Sequence, residues 1–301
     1  IFENTLHIPK AKVIQFRYNS INWAAQFYSN QNYSLSTASI YISILDRYFA
    51  MLIKLHDYSL ISFIFSCNRN MILVAMIIAR LAMIINEDNF VTLTTAKINE
   101  FIPADHKIQK HEFINLERNI VIRLNYELID FAGVKSILEV FIPLFPQMLE
   151  INDDLAINIF SYYVRYILDC FQLSYSVMCS FKSSLIVASA IYLAKITWPK
   201  NFATFLNLKF KSHKMDRLFY VYQKSNITWL YNICHAFSVS CSDLFNATSR
   251  ICSITNDINR QQSDMLFRYN DVSSGSVHKI GFPSFQMLML TQNRLKNILY
   301  K

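Results

Sequence analysis

The sequence predicts an all-α protein built from two successive helical bundles, and three observations lead to this fold class. Hydrophobic residues make up 53% of the 301 residues and charged residues only 17%, which is enough apolar material for a large core. The chain has three glycines and six prolines, which suits long helices joined by short turns better than a many-stranded sheet. Apolar residues also recur at helical spacing along most of the chain.

The predicted helices follow one another with polar turns or prolines between them. Helical periodicity covers the ranges 12–30, 37–54, 71–87, 107–125, 134–149, 155–171, 181–196 and 214–237. From about residue 246 the chain becomes richer in Ser, Asn, Asp and Gln, and it ends in the amphipathic stretch "FQMLMLTQNRLKNILY". We therefore expect a tail at 246–301 that consists of a linker and a short helix. Because the chain opens at Ile1 rather than at methionine, we expect it to be a portion of a longer protein.

The most apolar run, "MILVAMIIARLAMIINEDN" at 71–89, is predicted to be a buried core helix rather than a membrane span. Arg80 interrupts it, so no stretch reaches the roughly 18 to 20 uncharged residues that a bilayer core requires. The second half contains a similar run, "SSLIVASAIYLAKI" at 183–196. A helix that is apolar on nearly all sides belongs in the middle of a bundle, so two tandem bundles are expected, one around each run.

The sequence contains no catalytic or cofactor motif. GxGxxG, GxxxxGK[ST] and HExxH patterns are all missing, and Cys234, His235 and Cys241 do not have zinc-ligand spacing. The six cysteines form no CxxC pair, and most lie in apolar runs, which favours a reducing compartment. We therefore expect a protein that is not an enzyme and uses no cofactor or metal.

The net charge of +8 is compatible with an acidic partner, nucleic acid included. The densest basic stretch runs from Lys200 to Lys224 and is interleaved with aromatic residues. A solvated helix face and loop is the favoured interpretation, because the spacing matches no nucleic-acid-binding signature. Neither nucleic acid nor a membrane is an expected partner.

Four stretches of the first half, in order and in register, resemble the helices of a cyclin box. They are "FRYNSINW" at 16–23, "TASIYISILDRYFA" at 37–50, the apolar run at 71–89 and "LERNIVIRLNYEL" at 116–128, which resemble helices 1, 2, 3 and 5. In the second half, "FKSSLIVASAIYLA" at 181–194 resembles a helix of a second box. The chain thus resembles a mitotic A/B-like cyclin or a divergent cyclin-like protein. The resemblance implies two tandem five-helix bundles, at 1–131 and 132–245, followed by the tail.

The resemblance implies a regulatory subunit that binds and activates a cyclin-dependent serine/threonine kinase in the nucleus or cytoplasm. In the family, a lysine on helix 3 and a glutamate on helix 5 contact the kinase; the glutamate matches Glu117, but the lysine position holds Ile84. Arg80 lies four residues too early to take its place. The remaining implied contacts are apolar or aromatic, namely Ile85, Val121, Tyr126 and Leu128. Losing one charge-assisted hydrogen bond, worth about 1.5 to 3 kcal/mol, would weaken a complex without abolishing it.

Two other features are carried over from the family. One is a buried salt bridge between helices 1 and 2, which matches Arg17 and Asp46. The other is a groove on helices 1 and 3 that docks short basic-x-leucine motifs, and it matches Phe16, Asn19, Ser20, Trp23, Gln26, Met71 and Ile72. Gln26 stands where the family has the glutamate that pairs with the motif's cation, which disfavours conventional docking. Packing on the bundle surface is the simpler role for Trp23.

Two other functions stay open at this point. The altered groove and Ile84 are compatible with a cyclin-fold scaffold or adaptor in a larger assembly that no longer activates a kinase. General transcription factors also contain two cyclin-like repeats and bind DNA, but the sequence has no zinc ribbon, which weighs against this class.

Overall fold

A computed structural model describes residues 8–87, 94–100, 107–128, 133–149, 154–209 and 227–255 of the chain. All the regular structure in these ranges is helical, so the predicted all-α class is confirmed. The chain divides into two compact units, Ile1–Phe131 and Ala132–Lys301. Most of the predicted basic stretch and most of the predicted tail lie outside the described residues.

The first unit is arranged around one long apolar helix. Its helices are α1 (Lys10–Asn30), α2 (Leu35–Lys54), α3 (Tyr58–Ser66), α4 (Asn68–Asn86), α5 (Thr95–Glu100) and α6 (Lys110–Arg123). Every residue of α4 from 73 to 79 is buried, and α4 packs against α1, α2, α3 and α6. By its length and mean hydropathy alone α4 could cross a membrane. However, 61% of its most apolar 18-residue segment is buried inside the unit. The central helix of a bundle meets the same two criteria.

Polar side chains fix where the helices of the first unit begin. Ser34 caps α2 through its Oγ, which accepts a hydrogen bond from the backbone N–H of Ser36 at 3.2 Å. Glu87, the residue after α4, accepts hydrogen bonds from the Ser34 backbone N–H (2.8 Å) and from the Thr37 hydroxyl. The acidic end of the apolar run therefore places a carboxylate at the N-terminus of α2, where the helix dipole favours negative charge.

Glu112 connects the start of α6 to the start of α4. Its Oε2 lies 2.6 Å from Arg69 Nη2 and accepts a hydrogen bond from the backbone N–H of Gln109 at 2.7 Å. The hydrogen bond from Arg69 is the main cause that lowers the pKa of Glu112 below its usual value. This contact joins the start of α6 to the start of α4.

Glu112→Gln is expected to lower the free energy of unfolding by about 1 kcal/mol at neutral pH, the usual effect of losing a capping contact. Because the pKa of Glu112 is lower in the folded state, its contribution is present above the unfolded pKa and is lost as pH falls through the folded pKa. Urea unfolding of the unmodified chain and of Glu112→Gln, at neutral and at acidic pH, measures this contribution. The two curves should converge in acid; a difference that persists there would contradict the assignment.

The second unit is also arranged around a long apolar helix. Its elements are α7 (Val134–Phe141), a 3-10 turn (Ile142–Leu144), α8 (Phe145–Leu149), α9 (Asp154–Leu173), α10 (Tyr175–Ser180), α11 (Ser183–Lys209), α12 (Thr228–Ala236) and α13 (Cys241–Thr255). The residues of α11 from 186 to 195 are all buried, and this helix packs against α7, α9, α12 and α13. Lys135 on α7 forms a salt bridge to the buried Asp169 on α9, with Nζ and Oδ1 2.8 Å apart.

Two helices of the second unit extend beyond the ends that the sequence predicted. Helix α11 continues past residue 196, where the predicted helix ends, and runs through Pro199 to Lys209. A proline removes one backbone hydrogen bond, and here the helix tolerates that loss. Helix α13 continues to Thr255, past the expected start of the tail at 246, because Ile251 and Cys252 are buried in the unit.

Candidate functional site

A bidentate ion pair holds α1 against α2 in the first unit. Arg17 donates from Nε to Asp46 Oδ1 and from Nη2 to Asp46 Oδ2, both at 2.7 Å. The Arg17 side chain is only 7% exposed. Such a fork-to-fork contact fixes the orientation of both side chains and so links α1 to α2.

The residues expected to contact a kinase lie at the ends of α4 and α6 and just after α6. Ile84 is 43% exposed and Tyr126 is 73% exposed, while Ile85, Val121 and Leu128 are half-buried. Ile114, which the sequence interpretation did not include, is 48% exposed. Residues three or four positions apart share one side of a helix, so Ile114, Glu117 and Val121 lie along one edge of α6. We call Ile84, Ile114, Glu117, Val121 and Tyr126 the α4–α6 surface.

Glu117 forms an ion pair within the chain. Arg80 on α4 donates from Nη1 to Glu117 Oε1, and both side chains are partly exposed. The Arg80 guanidinium also lies over the ring of Phe113, 5.6 Å from its centroid. The sequence interpretation excluded Arg80 as a substitute for the family's lysine and did not consider it as a partner of Glu117. A single charge inside the apolar run 71–85 is the signal that such a partner exists.

The turn after α6 holds Tyr126 in an unusual conformation. Asn125 and Tyr126 have φ values of 53° and 64°, in the left-handed region that asparagine tolerates and tyrosine disfavours. The Tyr126 backbone N–H donates to the Val121 carbonyl at 2.9 Å, and Arg47 donates to the Glu127 carbonyl. Strained backbone that exposes a large aromatic ring is more frequent at binding sites than elsewhere, so this turn is part of the candidate surface.

A groove of about 670 Å³ lies between α1 and α4. Six of the seven expected groove positions line it, namely Phe16, Asn19, Ser20, Trp23, Met71 and Ile72. Gln26 does not line it; it is exposed on α1. Trp23 stacks on Phe27, with ring centroids 5.5 Å apart and planes 15° apart. The structure therefore brings the groove residues together, with Trp23 as part of its wall.

Lys12 also lines this groove, and the sequence interpretation missed it. Its Nζ donates to the carbonyl oxygen of Phe65, the penultimate residue of α3, at 2.7 Å. Lys12 lies four residues before Phe16 and eleven before Trp23, so helical spacing alone would have placed all three on one face. Within the part of the chain that the structure describes, no carboxylate lines the groove.

No family model matches the chain, and no characterised protein matches it in sequence. Within the ranges that the structure describes, no group of three His, Cys, Asp or Glu side chains is arranged to hold a metal ion. The functional interpretation therefore depends on the α4–α6 surface and the groove.

Proposed function

We propose that this chain is a cyclin-like regulatory subunit, with two tandem five-helix cyclin-box bundles, that binds and activates a cyclin-dependent serine/threonine kinase through the α4–α6 surface. The observation that carries the proposal is that three large apolar or aromatic side chains of this surface, Ile84, Ile114 and Tyr126, are exposed. Binding energy at protein interfaces concentrates in such aromatic and aliphatic anchors. The resemblance to the cyclin box supplies the class of partner.

In this proposal the chain acts by position and contributes no catalytic group. It holds the regulatory helix of the kinase so that the kinase's own Lys–Glu pair and activation segment assemble. Ile84 adds apolar contact where the family has a lysine. The Arg80–Glu117 pair keeps a cation and an anion together and partly exposed, so it can supply polar contacts to the partner's backbone.

The same ion pair favours a second candidate, a scaffold or adaptor of the cyclin fold that does not activate a kinase. Arg80 neutralises the charge of Glu117 within the chain. A partner that needs a free glutamate would then have to break an existing contact, which costs free energy.

Ile84→Lys distinguishes the two candidates. If the chain is a kinase activator, the new cation should tighten binding of the kinase by about tenfold, as expected for one added charge-assisted hydrogen bond. The measurements are co-purification with the tagged full chain, kinase activity with and without the chain, and the affinity of both variants. Leu55→Lys is the matched control, because Leu55 is similarly exposed, at 46%, and lies outside the α4–α6 surface.

The kinase proposal expects a stoichiometric kinase in the purified complex and phosphorylation only when both chains are present. A pull-down without any kinase would support the adaptor instead. The adaptor would also be supported if Ile84→Lys changed the affinity for the kinase no more than Leu55→Lys does.

A further inference from the structure

We propose that the groove between α1 and α4 binds an extended apolar peptide segment that carries an acidic residue, the opposite charge from a basic-x-leucine motif. No residue of α6 lines this groove, so the proposal does not depend on kinase binding by the α4–α6 surface. It goes beyond the proposed function because it defines a second binding site and the chemistry of its occupant.

The size and lining of the groove fit apolar side chains. Its volume of about 670 Å³ lies within the range of roughly 300 to 1,000 Å³ that is typical of ligand sites. Trp23, Met71 and Ile72 are half-buried, so each presents apolar surface to an occupant without being closed off by the bundle. Stacking on Phe27 holds the Trp23 ring in place, which lowers the entropic cost of binding against it.

The charge of the groove specifies the acidic residue. Among the described residues, Lys12 is the one charged side chain that lines it. The neighbouring Gln15 and Asn19 are neutral amides, and a 2.7 Å hydrogen bond joins their side chains. The hydrogen bond to Phe65 positions the Lys12 ammonium and leaves it two further donors. A peptide carboxylate can pair with this ammonium, whereas none of the described side chains that line the groove offers a counter-charge to a peptide cation. The net charge of +8 attracts an acidic partner at longer range as well.

The test uses the full chain and three short fluorescein-labelled peptides that share a leucine-phenylalanine core. The core is flanked by glutamates in the first, by glutamines in the second and by lysines in the third. By fluorescence polarisation at about 50 mM salt, the glutamate peptide should bind roughly three- to tenfold more tightly than the lysine peptide, and the difference should shrink at high salt. Lys12→Glu should reverse the order of affinities. Lys54→Glu, which alters an exposed lysine at the end of α2, should leave the order unchanged.

Two results would overturn the proposal. One is equal or tighter binding of the lysine peptide to the unmodified chain. The other is unchanged binding of the glutamate peptide to both Trp23→Ala and Met71→Gln; Met71→Gln tests the groove even if Trp23→Ala unfolds, because Met71 is only half-buried. Capture of the kinase by Lys12→Glu, measured in parallel, should equal that of the unmodified chain, so failure at one surface is distinguishable from failure at the other.

Discussion

Asp46→Ala is expected to lower the free energy of unfolding of the first unit by about 3 kcal/mol, the lower end of the cost of breaking a buried ion pair. The reason is the Arg17 guanidinium, which would stay buried without its counter-charge and lose two hydrogen bonds of 2.7 Å. Asp46 is the more exposed partner, so water can solvate part of the site, which keeps the effect from being larger.

Urea unfolding measures this cost, and hydrogen exchange of α1 and α2 assigns it to the first unit. Glu139→Gln is the control, because it breaks the more exposed Arg165–Glu139 pair of the second unit and should cost less than about 1 kcal/mol. The double variant Arg17→Met/Asp46→Leu should recover much of the loss, since two apolar side chains replace the pair without leaving a charge. If Asp46→Ala costs no more than Glu139→Gln, the Arg17–Asp46 pair does not hold α1 in place.

Ile84→Asp combined with Ile114→Asp is expected to weaken capture of the kinase by at least about 100-fold. Each substitution places a carboxylate in the apolar part of the proposed interface, and disrupting one such anchor typically costs about 2 kcal/mol or more. Both side chains are more than 40% exposed, so the fold itself should tolerate the change. The affinity of the purified full chain for the co-purifying kinase measures the effect.

The matched control is Leu55→Asp combined with Phe63→Asp. These two side chains are each 46% exposed in the same unit and lie outside the α4–α6 surface. The control should bind the kinase as the unmodified chain does, and both double variants should unfold at similar urea concentrations. Undiminished capture by the Ile84/Ile114 variant would remove this surface from the proposal.

Helical periodicity was sufficient to predict the all-α class, because the burial of each long helix follows directly from the spacing of its apolar residues. Phe16 and Trp23 were expected in the groove from the family resemblance and not from periodicity. The Arg80–Glu117 contact could not be read from periodicity either, since it depends on how α4 crosses α6. The left-handed φ of Tyr126 was also not predictable from the sequence, because no glycine marks that turn.

The boundaries were less predictable than the helices themselves. Pro199 and the polar residues of "NATSR" at 246–250 indicated the ends of helices, yet α11 and α13 continue past these positions. In α13 the residues Ser242, Asp243, Asn246 and Arg250 are exposed, while Leu244, Ile251 and Cys252 belong to a buried side at helical spacing. The amino-acid composition of a short segment averages over the buried and exposed sides of a helix, so it does not reveal the buried side.

In each unit, ion pairs join two elements of that same unit. In the first unit these pairs include Arg17–Asp46, Arg69–Glu112 and Arg123–Asp57; in the second, Lys135–Asp169 and Arg165–Glu139. Both proposed binding surfaces lie in the first unit. The residues of both proposed surfaces and of the first-unit ion pairs therefore come from one continuous segment of the chain, so a fragment that spans this segment contains all of them.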